Sequence, residues 1–301
     1  MTSPRSAFAV LVGLVLVTPG AGASTQSAAA PDCRPTGNLT RVEGLVEASG
    51  VAVSRKTPGR LWTHNDSGEP VIFALDTRGS VVGRVRVTGA KVEDWEAIAV
   101  GPCPDGSCVY VADIGDNDAN RRQVTIYRFP EPASADRTAA VKDTFQVAYP
   151  DGSHDAEALL VAADGRVFIV TKGETGAVAL YGSQGELKLG AANRLERVGK
   201  PRASGKAAEG DRITDGAVSH DGSWVVLRGK NKVSFHRAAD LFAGSWKPVR
   251  EVDVTGLREP QGEGIAMGAD GTVYLTGEGG GKSQPGTFAT LACGGLPRNS
   301  Q

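Results

Sequence analysis

Carboxylate side chains recur at one position of a repeated phrase, and grouped carboxylates are the ligands that a hard cation prefers. Each copy of the phrase is an acid, a small residue and then apolar residues. The acids are Glu96, Glu157, Asp215 and Glu263, and Ser49 begins a fifth copy. Oxygen ligands of this kind suit Ca²⁺ better than zinc. Equivalent positions of radially arranged repeats lie on one ring, so we expect these four acids to form a candidate Ca²⁺ site.

A second set of polar residues follows the next apolar run of each copy. The predicted ligand-binding residues are Asn65, Asp66, Asp113, Lys172, Arg228 and Glu278. In a radial array, the start of a first strand and the end of the second lie on the same face, so this set is expected beside the acids. Lys172 and Arg228 would neutralise the acids or bind an anionic group such as phosphate. His64 and His154 map to the same face and are the candidate general bases.

The charge of the acids allows two interpretations. At about 6 Å and an effective dielectric constant of ~20, two adjacent carboxylates repel by roughly 2–3 kcal/mol. A divalent cation, raised pKa values or basic partners would compensate for this repulsion. Alternatively, an acid at a strand start accepts backbone N–H bonds from the neighbouring blade and ties the blades together. The sequence leaves both interpretations open.

The elements that must position these residues are short β-strands. The phrase recurs every 47 to 61 residues, a period typical of arrays of like units. A second β-rich run follows each copy, and the Asp-Gly pairs at 164–165, 221–222 and 270–271 are strong hairpin signals. Third runs follow in every copy. The sequence therefore predicts an all-β fold, a five-bladed β-propeller of four-stranded blades that spans residues 31–301. A six-bladed ring is the alternative, but no spare phrase supports it.

The last blade needs a strand from the other end of the chain. Four copies have room for a fourth strand, whereas the fifth copy ends soon after Leu291. Residues 39–45 are the candidate for the missing strand. Pairing the two ends would close the ring and remove an open sheet edge.

The N-terminal composition predicts export. Residues 1–30 combine Arg5, an apolar stretch over 7–17 and small residues at 21–23, the pattern of a secretory signal peptide. The apolar stretch is too short to span a membrane. A formal net charge of −1 gives no reason to invoke nucleic acid or an anionic membrane surface. We expect a secreted monomer whose partner is a small-molecule or anionic ligand.

The four cysteines all lie in the part predicted to be exported, where an even count favours disulfides. Cys103 and Cys108 flank a predicted hairpin turn and would pair across it. Cys33 and Cys293 would then join the two chain ends at the last blade. Four free thiols or a metal site are the alternatives, although Cys103 and Cys108 have no neighbouring histidine or second cysteine pair to complete a metal site.

The chain resembles the SdiA-regulated and phytase-like families of exported β-propellers. The similarity rests on repeat-level motifs over 49–52, 61–68, 94–99, 110–113 and 261–266. It implies an extracytoplasmic propeller and does not by itself assign an activity. Gluconolactonase and paraoxonase propellers are similar in kind at greater distance, and they hold Ca²⁺ with acids and asparagine in the channel. Those propellers have six blades, whereas this sequence predicts five.

Two classes of function follow. The first is a secreted binding or scaffold module whose acidic channel face takes a ligand or a divalent cation. The second is a metal-dependent hydrolase of phosphoester or lactone bonds, in which the ion polarises the substrate or activates water. The sequence favours the first, because none of its motifs is specific for catalysis.

Overall fold

Five β-sheets make up the fold, each sheet forming one blade. Apart from the pairings of Val81–Thr88 with Thr138–Ala140 and of Asp143–Ala148 with Asn193–Arg194, the strands pair antiparallel. The computed structural model describes Met1 and residues 32–133, 135–281 and 283–295. Apart from Met1, the predicted signal peptide lies outside the described residues. Among the described residues, no helix is long and apolar enough to cross a bilayer.

The strands follow one another blade by blade along the chain. Two short strands come first, β1 (Asp32–Pro35) and β2 (Thr40–Val42). Blade 1 contains β3 (Ala48–Val53), β4 (Arg60–Asn65), β5 (Val71–Asp76) and β6 (Val81–Thr88). Blade 2 contains β7 (Trp95–Cys103), β8 (Gly106–Asp113) and β9 (Val124–Pro130); β10 (Thr138–Ala140) then crosses to β6, and β11 (Asp143–Ala148) completes blade 2.

The remaining three blades follow in the same way. Blade 3 contains β12 (Ala156–Val161), β13 (Val167–Thr171) and β14 (Leu180–Gly182); β15 (Asn193–Arg194) returns to β11, and β16 (Glu196–Arg197) completes blade 3. After a 3₁₀ turn (Glu209–Asp211), blade 4 contains β17 (Asp215–Val218), β18 (Trp224–Gly229), β19 (Lys232–Arg237), helix α1 (Ala238–Phe242) and β20 (Arg250–Asp253). A second 3₁₀ turn (Thr255–Leu257) leads to blade 5, with β21 (Gln261–Met267), β22 (Thr272–Glu278) and β23 (Gly286–Gly294).

The first strands of the blades form a closed ring around the axis. Strand β3 contacts β7, β7 contacts β12, β12 contacts β17, β17 contacts β21, and β21 returns to β3. This closure confirms the predicted five-bladed propeller.

The two chain ends meet in blade 5, as the sequence predicted. Both β1 and β2 pair antiparallel with β23, so the N-terminal contribution is two short strands instead of one. Cys33 stands opposite Cys293 in this pairing and is bonded to it. The hairpin disulfide Cys103–Cys108 is also formed, and both predicted pairings are therefore confirmed.

Close packing between neighbouring first strands explains the small residue in the repeated phrase. A Cβ atom built on Gly50 would lie 2.8 Å from the backbone nitrogen of Ile98 and 3.0 Å from the Cα of Ala97. Large side chains fill the space farther out, where Trp62, Trp95 and Trp224 are buried. The small residue of the phrase thus allows two backbones to approach closely at the axis, and the apolar residues form the packed layer around it.

Candidate functional site

One end of the central channel opens into a cavity of about 110 Å³ that we call the acidic mouth. Its lining residues are Ser49, Asp66, Asp94, Glu96, Asn117, Glu157, Lys172, Gln261, Glu263 and Glu278. Six carboxyl groups therefore face a single ammonium group. Blades 1, 2, 3 and 5 contribute to the lining, and blade 4 does not.

β-Bulges account for which acids reach the mouth. The pairing of first and second strands shifts register next to Ser49, Glu96 and Glu157, and again between Gly262 and Ile265, on either side of Glu263. A bulge bends its strand and redirects a side chain. In blade 4 the pairing is regular from Asp215 onward, so the strand start keeps its ordinary geometry there.

Lys172 pairs with the acids of blade 3. Its Nζ lies 2.5 Å from Glu157 Oε1 and 3.8 Å from both Asp155 Oδ2 and Glu174 Oε2. Burial alone would lower the pKa of Lys172, but the attraction of Glu157 and Asp155 outweighs it and raises that pKa. The ammonium group therefore stays charged across the physiological range.

Glu96 and Glu157 are neighbouring acids of the mouth, and each perturbs the pKa of the other. Burial, reinforced by the charge of Glu157, raises the pKa of Glu96 well above its usual range. Burial also raises the pKa of Glu157, to about 7, although Lys172 opposes the shift. Glu96 therefore holds its proton more strongly than Glu157, whose charge Lys172 stabilises.

On the blade 5 side, Gln261 bridges two acids. Its Nε2 donates to Glu263 Oε1 at 2.7 Å and to Glu278 Oε1 at 2.9 Å. Burial and the nearby Glu157 raise the pKa of Glu263 to about 8. Across the mouth, burial and the adjacent Glu47 raise the pKa of Asp66 to about 7. Near neutral pH some carboxyl groups of the mouth are thus protonated, which reduces its negative charge.

The two predicted site residues of blade 4 lie outside the mouth and join the blades instead. Asp215 is fully buried, and its Oδ2 accepts the backbone N–H of Ile265 at 2.8 Å. Burial nevertheless raises the pKa of Asp215 well above its usual range. This carboxyl group plays the inter-blade role that the sequence offered as the alternative to metal binding.

Arg228 is likewise fully buried and is not available to clamp an anion at the mouth. Its Nη1 donates to the carbonyl oxygens of Gly264, at 2.6 Å, and Thr276, at 2.7 Å. Its Nη2 pairs with the carboxylate of Glu259. The guanidinium group therefore connects blade 4 to blade 5.

Neither predicted general base lines the mouth. His64 is fully buried against the edge of Trp95, its Nδ1 lies 3.0 Å from the carbonyl oxygen of Asn65, and burial lowers its pKa to about 4. The Nε2 atom of His154 lies 2.9 Å from Asp151 Oδ1 and 2.9 Å from the Tyr181 hydroxyl. Both imidazoles are engaged outside the cavity, and this geometry does not support the roles predicted for them.

Asn65 and Asp113 also support the mouth from outside it. The side-chain oxygen of Asn65 accepts the backbone N–H of Glu47 at 3.3 Å. Asp113 accepts the backbone N–H groups of Glu93 and Asp94, at 2.9 and 3.2 Å, so it fixes the segment that brings Asp94 into the mouth. Of the predicted site residues, the cavity therefore brings together Asp66, Glu96, Glu157, Lys172, Glu263 and Glu278.

The predicted site residues omitted Asp94, Asn117 and Gln261, which line the mouth, and Glu47, which lies beside Asp66. Gln261 stands two positions before Glu263, just as Asp94 stands two positions before Glu96. Residues two apart along an extended strand share a face, so this spacing was a usable signal for Gln261. Glu47 lies before β3 and carries no repeat signal.

The acids line the mouth without converging on one point. In the described parts of the chain, three separate ligand atoms of His, Cys, Asp or Glu come within 4.8 Å of one another only at Cys103, Asp105 and Cys108. That group is no metal site, because its two sulfur atoms form a disulfide and offer no thiolate. An ion in the acidic mouth would therefore keep part of its hydration shell, and 110 Å³ corresponds to the volume of about three to four water molecules.

Comparison with known proteins identifies the fold. No family model matches the chain and no curated protein matches it, so the resemblance to SdiA-regulated and phytase-like propellers stays a prediction. The PQQ-bound aldose sugar dehydrogenase of Streptomyces coelicolor is 13% identical and covers 87% of this chain and 98% of its own, with a TM-score of 0.51. At that identity the likeness shows a shared propeller fold and no more.

Two further solved structures are similar at lower scores. A gluconolactonase of Xanthomonas campestris is 14% identical, covers 82% of this chain and 72% of its own, and has a TM-score of 0.44. A putative glucose dehydrogenase of Thermus thermophilus is 13% identical, covers 84% of this chain and 99% of its own, and has a TM-score of 0.47. Neither match supports an argument about function.

Proposed function

We propose that the acidic mouth binds a divalent cation, with Ca²⁺ as the first candidate, and that the protein is an exported, monomeric binding module. One observation supports this most strongly: six carboxyl groups and one ammonium group line a cavity of about 110 Å³. Ca²⁺ takes six to eight oxygen ligands in flexible geometry, and water molecules can supply some of them. The mouth also offers neutral oxygens from Ser49, Asn117 and Gln261.

A quinone cofactor such as PQQ does not fit this site. PQQ carries three carboxylate groups, and its binding calls for cationic partners. The acidic mouth presents Lys172 as its single cation, and Glu157 already occupies that ammonium group. The charge of the acidic mouth therefore favours a cation, or a small ligand held through a cation.

The proposal is tested by calcium titration of the purified protein after removal of metals with a chelator. We expect saturable binding by calorimetry and a rise in melting temperature, because a ligand bound only by the folded state stabilises it, by about 2.7 kcal/mol at a hundredfold excess over Kd. Glu263→Gln should abolish most of this rise, since it removes one buried ligand from the mouth.

Glu251→Gln is the matched control. Glu251 lies on β20, is exposed and faces Lys232 at 3.6 Å, so the substitution removes the same charge away from the mouth. Its calcium response should equal that of the unmodified protein. If neither Ca²⁺ nor Mg²⁺, Mn²⁺ or Zn²⁺ changes the melting temperature, protonation alone balances the acids and the proposal is wrong.

A metal-dependent hydrolase acting on lactone or phosphoester bonds is the second candidate, and the position of Asp66 favours it. This carboxyl group lines the mouth, and its pKa of about 7 is close to the optimum for a general base at neutral pH. A bound cation would supply polarisation of the substrate oxygen. Asp66 would then replace the two histidines in the role predicted for them.

A panel of lactones and phosphoesters, assayed with Ca²⁺ and with chelator, tests this candidate. Calcium-dependent turnover should fall about 10²–10⁴-fold in Asp66→Asn, the usual contribution of a general base. Calcium binding by Asp66→Asn should persist. An absence of turnover on the whole panel would leave the binding module as the function.

A further inference from the structure

At the opposite end of the channel, mostly apolar side chains line a second cavity, of about 90 Å³, that we call the apolar mouth. Its lining residues are Val51, Ala52, Val53, Ser54, Arg55, Ile98, Ala99, Val100, Leu159, Val161, Gly216, Ala217, Val218, His220, Ala266, Met267 and Ala269. All five blades contribute, through the later part of each first strand. The lining contains no carboxylate, and Arg55 is its one permanently charged residue.

The guanidinium group of Arg55 makes no ion pair with any of the described residues. Arg55 is half-buried, and burial, partly opposed by Glu131, lowers its pKa. A half-buried guanidinium group beside an apolar wall attracts an anion, because an unpaired cation loses hydration there without gaining a partner.

Glu131 is the nearest acid, and its oxygens are already engaged with other donors. They accept hydrogen bonds from Trp62 Nε1 at 3.1 Å and from Ser107 Oγ at 2.7 Å. They also accept the Ser54 hydroxyl and the backbone N–H of Arg55 itself. Glu131 therefore fixes the turn that carries Arg55 through its backbone N–H and forms no ion pair with its guanidinium group, and Arg55 lines the cavity.

We propose that the apolar mouth binds a short-chain aliphatic carboxylate, with its alkyl chain in the cavity and its carboxylate on Arg55. The guanidinium fork matches the two carboxylate oxygens, and the apolar walls match the chain. The cavity of about 90 Å³ suits a chain of a few carbons. This site is independent of the cation proposed for the acidic mouth.

A series of straight-chain acids from acetate to octanoate, titrated by ligand-observed NMR in the presence of chelator, measures the fit. Each added methylene should strengthen binding about fourfold, the equivalent of ~0.8 kcal/mol, until the cavity is full. We expect this gain to stop at about four to five carbons. An affinity that keeps rising through octanoate would indicate non-specific surface binding and would overturn the proposal.

Charge selectivity and two substitutions identify the site. Butyrate should bind at least tenfold more tightly than butyramide, and butylamine should not compete with it. Arg55→Gln should weaken butyrate about tenfold or more, because a hydrogen bond to a charged group contributes about 1.5–3 kcal/mol. Arg78→Gln is the control, because Arg78 lies on the same blade, exposed and paired with Asp76 at 3.0 Å.

Ala99→Leu supplies a second test that leaves the guanidinium group in place. Ala99 lines the cavity and is half-buried, so a larger side chain there should fill the space and abolish butyrate binding. Calcium titration of each variant reports separately on the acidic mouth and on folding. Unchanged butyrate affinity in both Arg55→Gln and Ala99→Leu would refute the proposal, whatever the calcium result.

Discussion

At the scale of single residues, Arg228 and Glu259 form a buried charge pair that joins two blades. The side chain of Arg228 is fully buried and that of Glu259 is 4% exposed. Removing one member of such a pair leaves the other as an uncompensated buried charge, whereas removing both leaves no unpaired charge and loses only the hydrogen bonds from Arg228 to two carbonyl oxygens. The contribution of the pair therefore lies mainly in the cost of breaking it.

Arg228→Met should lower the free energy of unfolding by about 3–5 kcal/mol, since Glu259 would stay buried without its partner. Urea denaturation at neutral pH, followed by tryptophan fluorescence, measures the change. The double variant Arg228→Met/Glu259→Met should recover a substantial part of the loss. Additive losses from the two substitutions would contradict the pairing.

The sequence predicted which residue types form the site better than it predicted which side chains face the acidic mouth. Asp215 and Glu263 occupy the same position of the repeated phrase. Glu263 faces the mouth, whereas Asp215 accepts a hydrogen bond from the backbone N–H of Ile265 in blade 5. The difference lies in a β-bulge, which blade 5 has and blade 4 lacks. A bulge depends on how two strands pair, and one copy of the phrase carries no signal for it.

At the scale of the element, the small residue of each phrase determines how closely two first strands approach. Gly50 lies against the backbone of β7 and has no room for a Cβ atom. Backbone atoms cannot move aside as a flexible side chain can, so added volume must shift a whole blade. Periodicity made this small position visible in the sequence, which is why the blade count and closure could be predicted.

Gly50→Ala should therefore destabilise the protein by about 1–3 kcal/mol, the usual range for overpacking. Gly256→Ala is the matched control, since a Cβ atom at Gly256 would have no neighbour within 4 Å. That substitution should change stability by no more than about 0.5 kcal/mol. Equal melting temperatures for the two variants would show that the first strands are not in close contact at the axis.

At the scale of the whole molecule, the acidic mouth couples stability to pH. Folding raises the pKa values of Asp66 and Glu157 to about 7 and that of Glu263 to about 8, so the folded protein binds protons that the unfolded chain releases. Stability from these groups is fully present below their unfolded pKa values, near 4, and is lost as the pH rises through 7 to 8. The raised pKa of Lys172 acts only above pH ~10.4 and does not cancel this effect.

With chelator present, we expect the free energy of unfolding to fall between pH 5.5 and 8.5, by roughly 1.4 kcal/mol for each unit of pKa shift that titrates in this range. Saturating Ca²⁺ should flatten the curve, because the ion replaces the protons. Urea denaturation at pH 5.5, 7 and 8.5 provides the measurement. A free energy of unfolding that increases with pH in chelator would contradict the raised pKa values.

The pairing of β1 and β2 with β23 in blade 5, which closes the ring, also determines an order of events during biosynthesis. Of the described strands, β1 and β2 are synthesised first, and their pairing partner β23 is synthesised last. The ring therefore cannot close until β23 has been made, and β1 and β2 stay unpaired until then. Cys33 likewise finds Cys293 across a separation of 260 residues, so oxidation at this position marks the end of assembly. A chain truncated before β23 would leave β1, β2 and Cys33 without their partners, so it could neither close the ring nor form this disulfide.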